Sequence, residues 1–96
     1  MKELLQKVRD LLACGWHRGC MFRDSRGEHC TRADAVSHCT LGAIINCGLT
    51  DEEQVRLQYY LVDDLENPSI TSWNDGPCMT KNRVLAYFDG LIERTP

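Results

Sequence analysis

Leu4, Leu5, Val8, Leu11 and Leu12 recur at spacings of three and four, with Lys2, Glu3, Lys7 and Arg9 around them. That stripe predicts an amphipathic helix from about Lys2 to Ala13, ended by Gly15. Near the other end, Val84, Leu85, Phe88, Leu91 and Ile92 repeat the pattern behind Thr80, a natural N-cap. Between them, Thr50 and Glu53 form a capping box, and Asp51 and Glu52 suit the positive end of a helix dipole. The helix they open is expected to bury Val55, Tyr59, Val62 and Leu65 and to close at Asn67-Pro68. A further helix is expected from Thr31 to Gly48, with Thr31 and Asp34 as a second capping box and Gly48 in a left-handed ending.

That last segment carries a face of small residues, Ala35, Cys39, Gly42, Ala43 and Cys47. Gly42 inside a helix gives up about 1 kcal/mol of propensity relative to Ala. The usual offset is close approach of another backbone or a ligand, so the centre of packing is expected here. Two stretches lack helical periodicity. Gly15 to Thr31 is rich in glycine and charge, with Trp16, Met21 and Phe22 as anchors and Asp24-Ser25-Arg26-Gly27 as a turn; its periodicity is too brief to define a strand. Ser69 to Met79 holds Ile70, Trp73 and the turn residues Asn74-Asp75-Gly76-Pro77. The expected fold is all-α: a compact bundle of about four helices with two irregular loops, forming one domain over residues 1–96.

Composition narrows the function classes. With 43% hydrophobic and 26% charged residues the chain has the make-up of an ordinary globular protein. No apolar run approaches the ~20 residues that span a bilayer. The N-terminus is charged where a signal peptide would be apolar, so a cytoplasmic location is expected. The net charge of −3 argues against generic nucleic-acid binding. Arg18, Arg23, Arg26 and Arg32 are interrupted by Asp24 and Glu28, as in a solvated loop.

The six cysteines are the compositional oddity. In a reducing compartment such residues are usually buried small hydrophobes. Cys14-x-x-His17 and His17-x-x-Cys20 have workable spacing for zinc, and His29-Cys30 adds a distant ligand, but no C-x-x-C exists. No metal or cofactor is assigned on these residues.

Trp16-x-x-Gly19, Cys39-x-x-Gly42-Ala43 and Trp73-Asn74-Asp75 together resemble a family of small proteins from actinobacteria, other bacteria and their phages that carries a domain of unknown function. Thr80, Val84 and Asp89 fall where the final helix of that family places a Thr, a Val and an Asp. The similarity runs from Trp16 to Ile92. Gly90-Leu91 and the extra Cys and His between Gly19 and Thr31 depart from the pattern. The resemblance implies a helical domain and a phage setting; it implies no activity.

Three functions are weighed. The first is a small non-enzymatic binding protein, in the phage setting an accessory protein that inhibits a host protein. Its contact residues are Asp63, Asp64, Glu66 and Tyr60: the acids crowd a helix C-terminus, where the dipole disfavours them by ~0.3–1 kcal/mol, and exposed tyrosines, Tyr60 and Tyr87, suit an interface. The second is a small-ligand or nucleotide binder with a pocket between the two loops. There Arg18 or Arg23 would meet phosphate, Trp16 and Trp73 would supply aromatic surface, and Asn74 and Asp75 would hydrogen-bond the ligand. The third is a thiol enzyme at Cys39, beside His38. Neighbours on a helix point about 100° apart, and a Cys39 two turns into a helix from Thr31 lies too deep to feel its N-terminal amides. Protein binding is the expectation; the oligomeric state is left open.

Overall fold

A computed structural model describes residues 1–96 of the chain. Helix α1, Lys2–Cys14, buries Leu4, Leu5, Val8 and Leu12, the stripe read from the sequence. It packs chiefly against α5, Lys81–Arg94, which contributes Val84, Phe88 and Leu91. The Arg9 guanidinium, 2.9 Å from Asp89, ties the pair at its surface. Thr80 caps α5 by accepting the Arg83 N–H at 3.2 Å.

The segment expected as one helix from Thr31 divides into three pieces. A single 3₁₀ turn occupies Arg32–Asp34, strand β2 follows at Ser37–His38, and α2 spans only Thr40–Asn46. Strand β2 pairs antiparallel with β1, Phe22–Arg23, placing Phe22 opposite His38 and Arg23 opposite Ser37. The fold is therefore helix-rich, with five α-helices and a small two-stranded sheet, rather than purely all-α. Thr31 does not cap: its hydroxyl donates to Asp34 at 3.3 Å instead of accepting a helix amide. The true N-cap is Cys39, whose Sγ accepts the Gly42 N–H at 3.4 Å. Cysteine is no recognised cap, and Val36 favours extended backbone, so local preference hid the real start.

Helix α3, Asp51–Leu65, starts as its sequence announces. The Thr50 hydroxyl accepts the Glu53 N–H at 3.1 Å, and the Glu53 carboxylate accepts the Thr50 N–H at 2.9 Å. The helix ends with Glu66 in the left-handed region, φ 52°, just ahead of Asn67-Pro68. Its buried face, however, is not the expected one. Leu57 and Leu61 are 0% and 1% exposed, whereas Val55 and Tyr59 are 51% and 73% exposed. The helix carries two apolar stripes of the same spacing. The bundle takes the leucines, which bury aliphatic surface without having to place a phenol hydroxyl.

The second irregular stretch contains a short helix, α4, Ile70–Asn74, capped by Ser69, whose hydroxyl accepts the Ser72 N–H at 3.1 Å. Ile70 and the buried Asn74 face inward. The core joins α1, α2, α3, α4 and α5 in one cluster around Leu5, Ile44, Leu61 and Phe88. No helix is long and apolar enough to cross a membrane.

Candidate functional site

The first feature is a polar hub at the start of α2. Asn74, fully buried, uses its side-chain oxygen to accept from the Trp16 indole at 2.7 Å, the Thr40 amide at 2.9 Å and the Thr40 hydroxyl at 2.7 Å. Its amide nitrogen donates to the His17 carbonyl at 3.2 Å and to Asp75 at 2.9 Å. Asp75 in turn accepts the Gly19 N–H at 3.0 Å. Burial works against ionising Asp75, but bonds from Asn74 and Gly19 and the charge of Arg18 outweigh it and hold the carboxyl below its ordinary range. Arg18 lies over the outside of the hub and donates to the carbonyls of Asp75 and Gly76.

Gly42 lies one turn along. A Cβ there would come within 2.3 Å of the Met21 carbonyl oxygen, which itself accepts the Cys39 N–H at 3.2 Å. The close approach expected from a glycine in this helix is therefore made, and its partner is backbone, not ligand. The three short motifs of the sequence, around Trp16, Cys39 and Trp73, meet at this one place. All serve to join the two loops to α2.

A cavity of about 290 Å³ opens beside the hub between the two loops, lined by Gly19, Cys20, Met21, Cys39, Thr71 and Asp75. The aromatic and basic residues expected for a ligand are engaged elsewhere. Trp16 is half-buried on Asn74, Trp73 stacks on Tyr87 with ring centres 5.0 Å apart, and Asn74 is sealed in. Arg23 donates to the carbonyls of Gly27 at 2.8 Å and Arg18 at 3.3 Å.

The histidines show what the thiols can do. His17 Nε2 lies 2.7 Å from the Cys20 carbonyl, so it carries the proton and donates; Nδ1 then accepts from Ser37 at 2.7 Å. The ring is 3.6 Å from the Cys20 thiol but has no free lone pair to offer it. His38 is buried beneath Phe22 and bonds Asn46, not Cys39. The Asn46 amide also donates to the Arg32 carbonyl at 3.1 Å, so at 2.8 Å from His38 Nε2 it donates there too. The His38 proton then sits on Nδ1, which is buried without a partner. Burial lowers the pKa of both histidines. Burial also raises that of Cys39, against the opposing pull of the Gly42 and Leu41 amides. Those amides are within reach because Cys39 caps α2, which corrects the expectation that it lies two turns deep. All six cysteines are free thiols, and no three His, Cys, Asp or Glu side chains come together to hold a metal ion.

The second feature is the outer face of α3. Val55, Gln58, Tyr59, Val62 and Pro68 line an open groove of about 390 Å³. Of the acidic residues read as contact sites, Asp63 and Glu66 are exposed on this side of the molecule's surface without an ion pair. Asp64 is committed inward: it accepts from the Tyr87 hydroxyl at 2.7 Å and from Arg94 at 3.0 Å. The Arg94 and Tyr87 bonds hold its carboxyl below the ordinary range, which explains an acid at a helix C-terminus without a partner molecule. Tyr60, expected to be exposed, is half-buried and bonds the Thr95 hydroxyl at 2.8 Å; Tyr87 is half-buried as well. Nothing in the motifs signalled the outer stripe, because its periodicity had been read as core.

These features describe a small helix-rich domain in which an asparagine-centred hub clamps two loops onto a short central helix. The chain belongs to a family of unknown function, DUF6197, whose model matches residues 1–94. No curated protein and no solved structure matches the chain.

Proposed function

We propose that this protein is a non-catalytic binding domain that works through protein–protein contacts on the outer face of α3. The observation that carries this is the stripe of Val55, Tyr59 and Val62, with Tyr59 73% exposed over a ready groove. A solvent-facing tyrosine between two valines holds apolar area in water that a partner would remove. The hub, by contrast, has its polar groups engaged with one another, as a structural joint does. The phage setting of the resembling family supports a finer form of the same reading, an accessory protein that inhibits a host protein. To test the contact surface, a photoreactive benzoylphenylalanine is placed at position 59 and irradiated in an extract of the native cells. An adduct with a polypeptide, lost on adding Val62→Asp, is the expected result. Absence of any adduct would sink the proposal.

The cavity beside the hub supports a second reading, a small-ligand site. Its chemistry suits a compact polar or cationic molecule bonded to Asp75 rather than a nucleotide, because Arg18 and Arg23 are bonded to carbonyls. A ligand of that kind should raise the melting temperature, and Asp75→Asn should remove the rise.

A further inference from the structure

We infer that the outer face of α3 is complementary to itself: two copies of this chain pair through antiparallel α3 helices about a two-fold axis. This rests on the reading of that face as a contact surface and adds which molecule occupies it. At 100° per residue, Tyr59 marks the middle of the face, Val55 and Val62 lie to one side of it, and Arg56 and Asp63 to the other, each within roughly 60°. Arg56 and Asp63 are both exposed, and neither belongs to any of the chain's ion pairs, Arg9–Asp10, Arg9–Asp89 and Arg94–Asp64. They stand at equal distances on either side of a point between Tyr59 and Tyr60, roughly 10 Å apart along the helix.

A two-fold axis through that point, normal to the plane of the paired helices, reverses chain direction but keeps each rim on its own side. It sets Arg56 of each copy level with the partner's Asp63, so two ion pairs form on one rim. On the other rim Val55 of each copy comes beside the partner's Val62, again twice. The two Tyr59 rings fill the middle, against the grooves edged by Gln58 and Pro68. Glu52, on the same face, comes level with the partner's Asn67 and meets no like charge. An isologous interface requires this property, one patch that matches its own rotated image. A partner surface of a single charge sign would instead meet a like charge at either Arg56 or Asp63.

Sedimentation of the purified protein over a concentration series provides the test. A dimer is expected at tens of micromolar. Arg56→Asp and Asp63→Arg should each weaken it about tenfold or more, because each single change sets two like-charge contacts across the axis. The double variant R56D/D63R should recover dimerisation, since both pairs return with polarity reversed. Both sites are exposed, so circular dichroism should be unchanged in every variant. Wild-type protein that stays monomeric, or a double variant no better than the singles, overturns the inference. Benzoylphenylalanine at position 59 separates this failure from that of the wider proposal. An adduct between two copies supports self-pairing. An adduct with a different polypeptide overturns self-pairing but leaves the contact surface standing, and no adduct removes both.

Discussion

The side-chain oxygen of Asn74 accepts the indole N–H of Trp16 at 2.7 Å across 58 positions of chain, and the same oxygen accepts two bonds from Thr40. One atom thus holds together the end of the α1 loop, the start of α2 and the end of α4. Three donors converging on one buried acceptor make that residue hard to replace.

Asn74→Ala should therefore lower stability by about 3 kcal/mol or more, since it strands several buried donors and leaves a void. Thr40→Val removes only the hydroxyl bond and should cost about 1 kcal/mol. Urea unfolding of the two variants checks this. Equal losses would show that the hub is not what joins the three segments.

Two glycines in helices make opposite predictions. Gly42→Ala gains propensity but drives a Cβ to 2.3 Å from the Met21 carbonyl, so stability should fall despite the better helix former. Gly90→Ala, in α5, meets nothing within 4 Å and should stabilise by about 0.5–1 kcal/mol. Melting temperatures that move in the same direction would contradict the packing around α2.

Acid should weaken the fold in two stages. His17 and His38 have pKa values lowered by burial, so the unfolded chain binds their protons first. Their contribution is whole above an unfolded pKa of about 6.5 and declines as pH falls through and below it. Asp64 and Asp75 are held low as well and add a second loss under pH ~4. Unfolding midpoints from pH 8 to pH 3 should trace both stages, and His38→Gln should shrink the upper one.

Thiol labelling separates structural from reactive cysteines. Cys14 and Cys78 are exposed and should react with iodoacetamide quickly, whereas Cys39, 4% exposed with a raised pKa, should react last and only on unfolding. Mass spectrometry of timed samples reads the order. Early labelling of Cys39 would revive the thiol-enzyme alternative.

The long helices were legible because their signals are local. Leu4 to Leu12, Val84 to Ile92, the Thr50–Glu53 box and the Thr80 cap all act within a few residues of themselves. The start of α2 was not, because its cap is a cysteine and its strand is held by Phe22–Arg23, a loop whose own pattern is too short to read. For α3 the sequence offered two stripes of equal spacing, and only the placement of the other helices chose Leu57 and Leu61. Trp16, Asn74 and Asp75 were singled out, but for a ligand. That Asn74 spends its oxygen on Trp16 and Thr40 is a long-range fact that no local pattern contains.

The hub also orders the life of a growing polypeptide. A chain synthesised only through α3 already has the Trp16 indole and both Thr40 donors, yet lacks the oxygen that receives them. Closing loops of that length has to wait for α4, so early segments are held as loose helices while translation continues. The domain should then settle in one late, concerted step, and no half of it should persist alone.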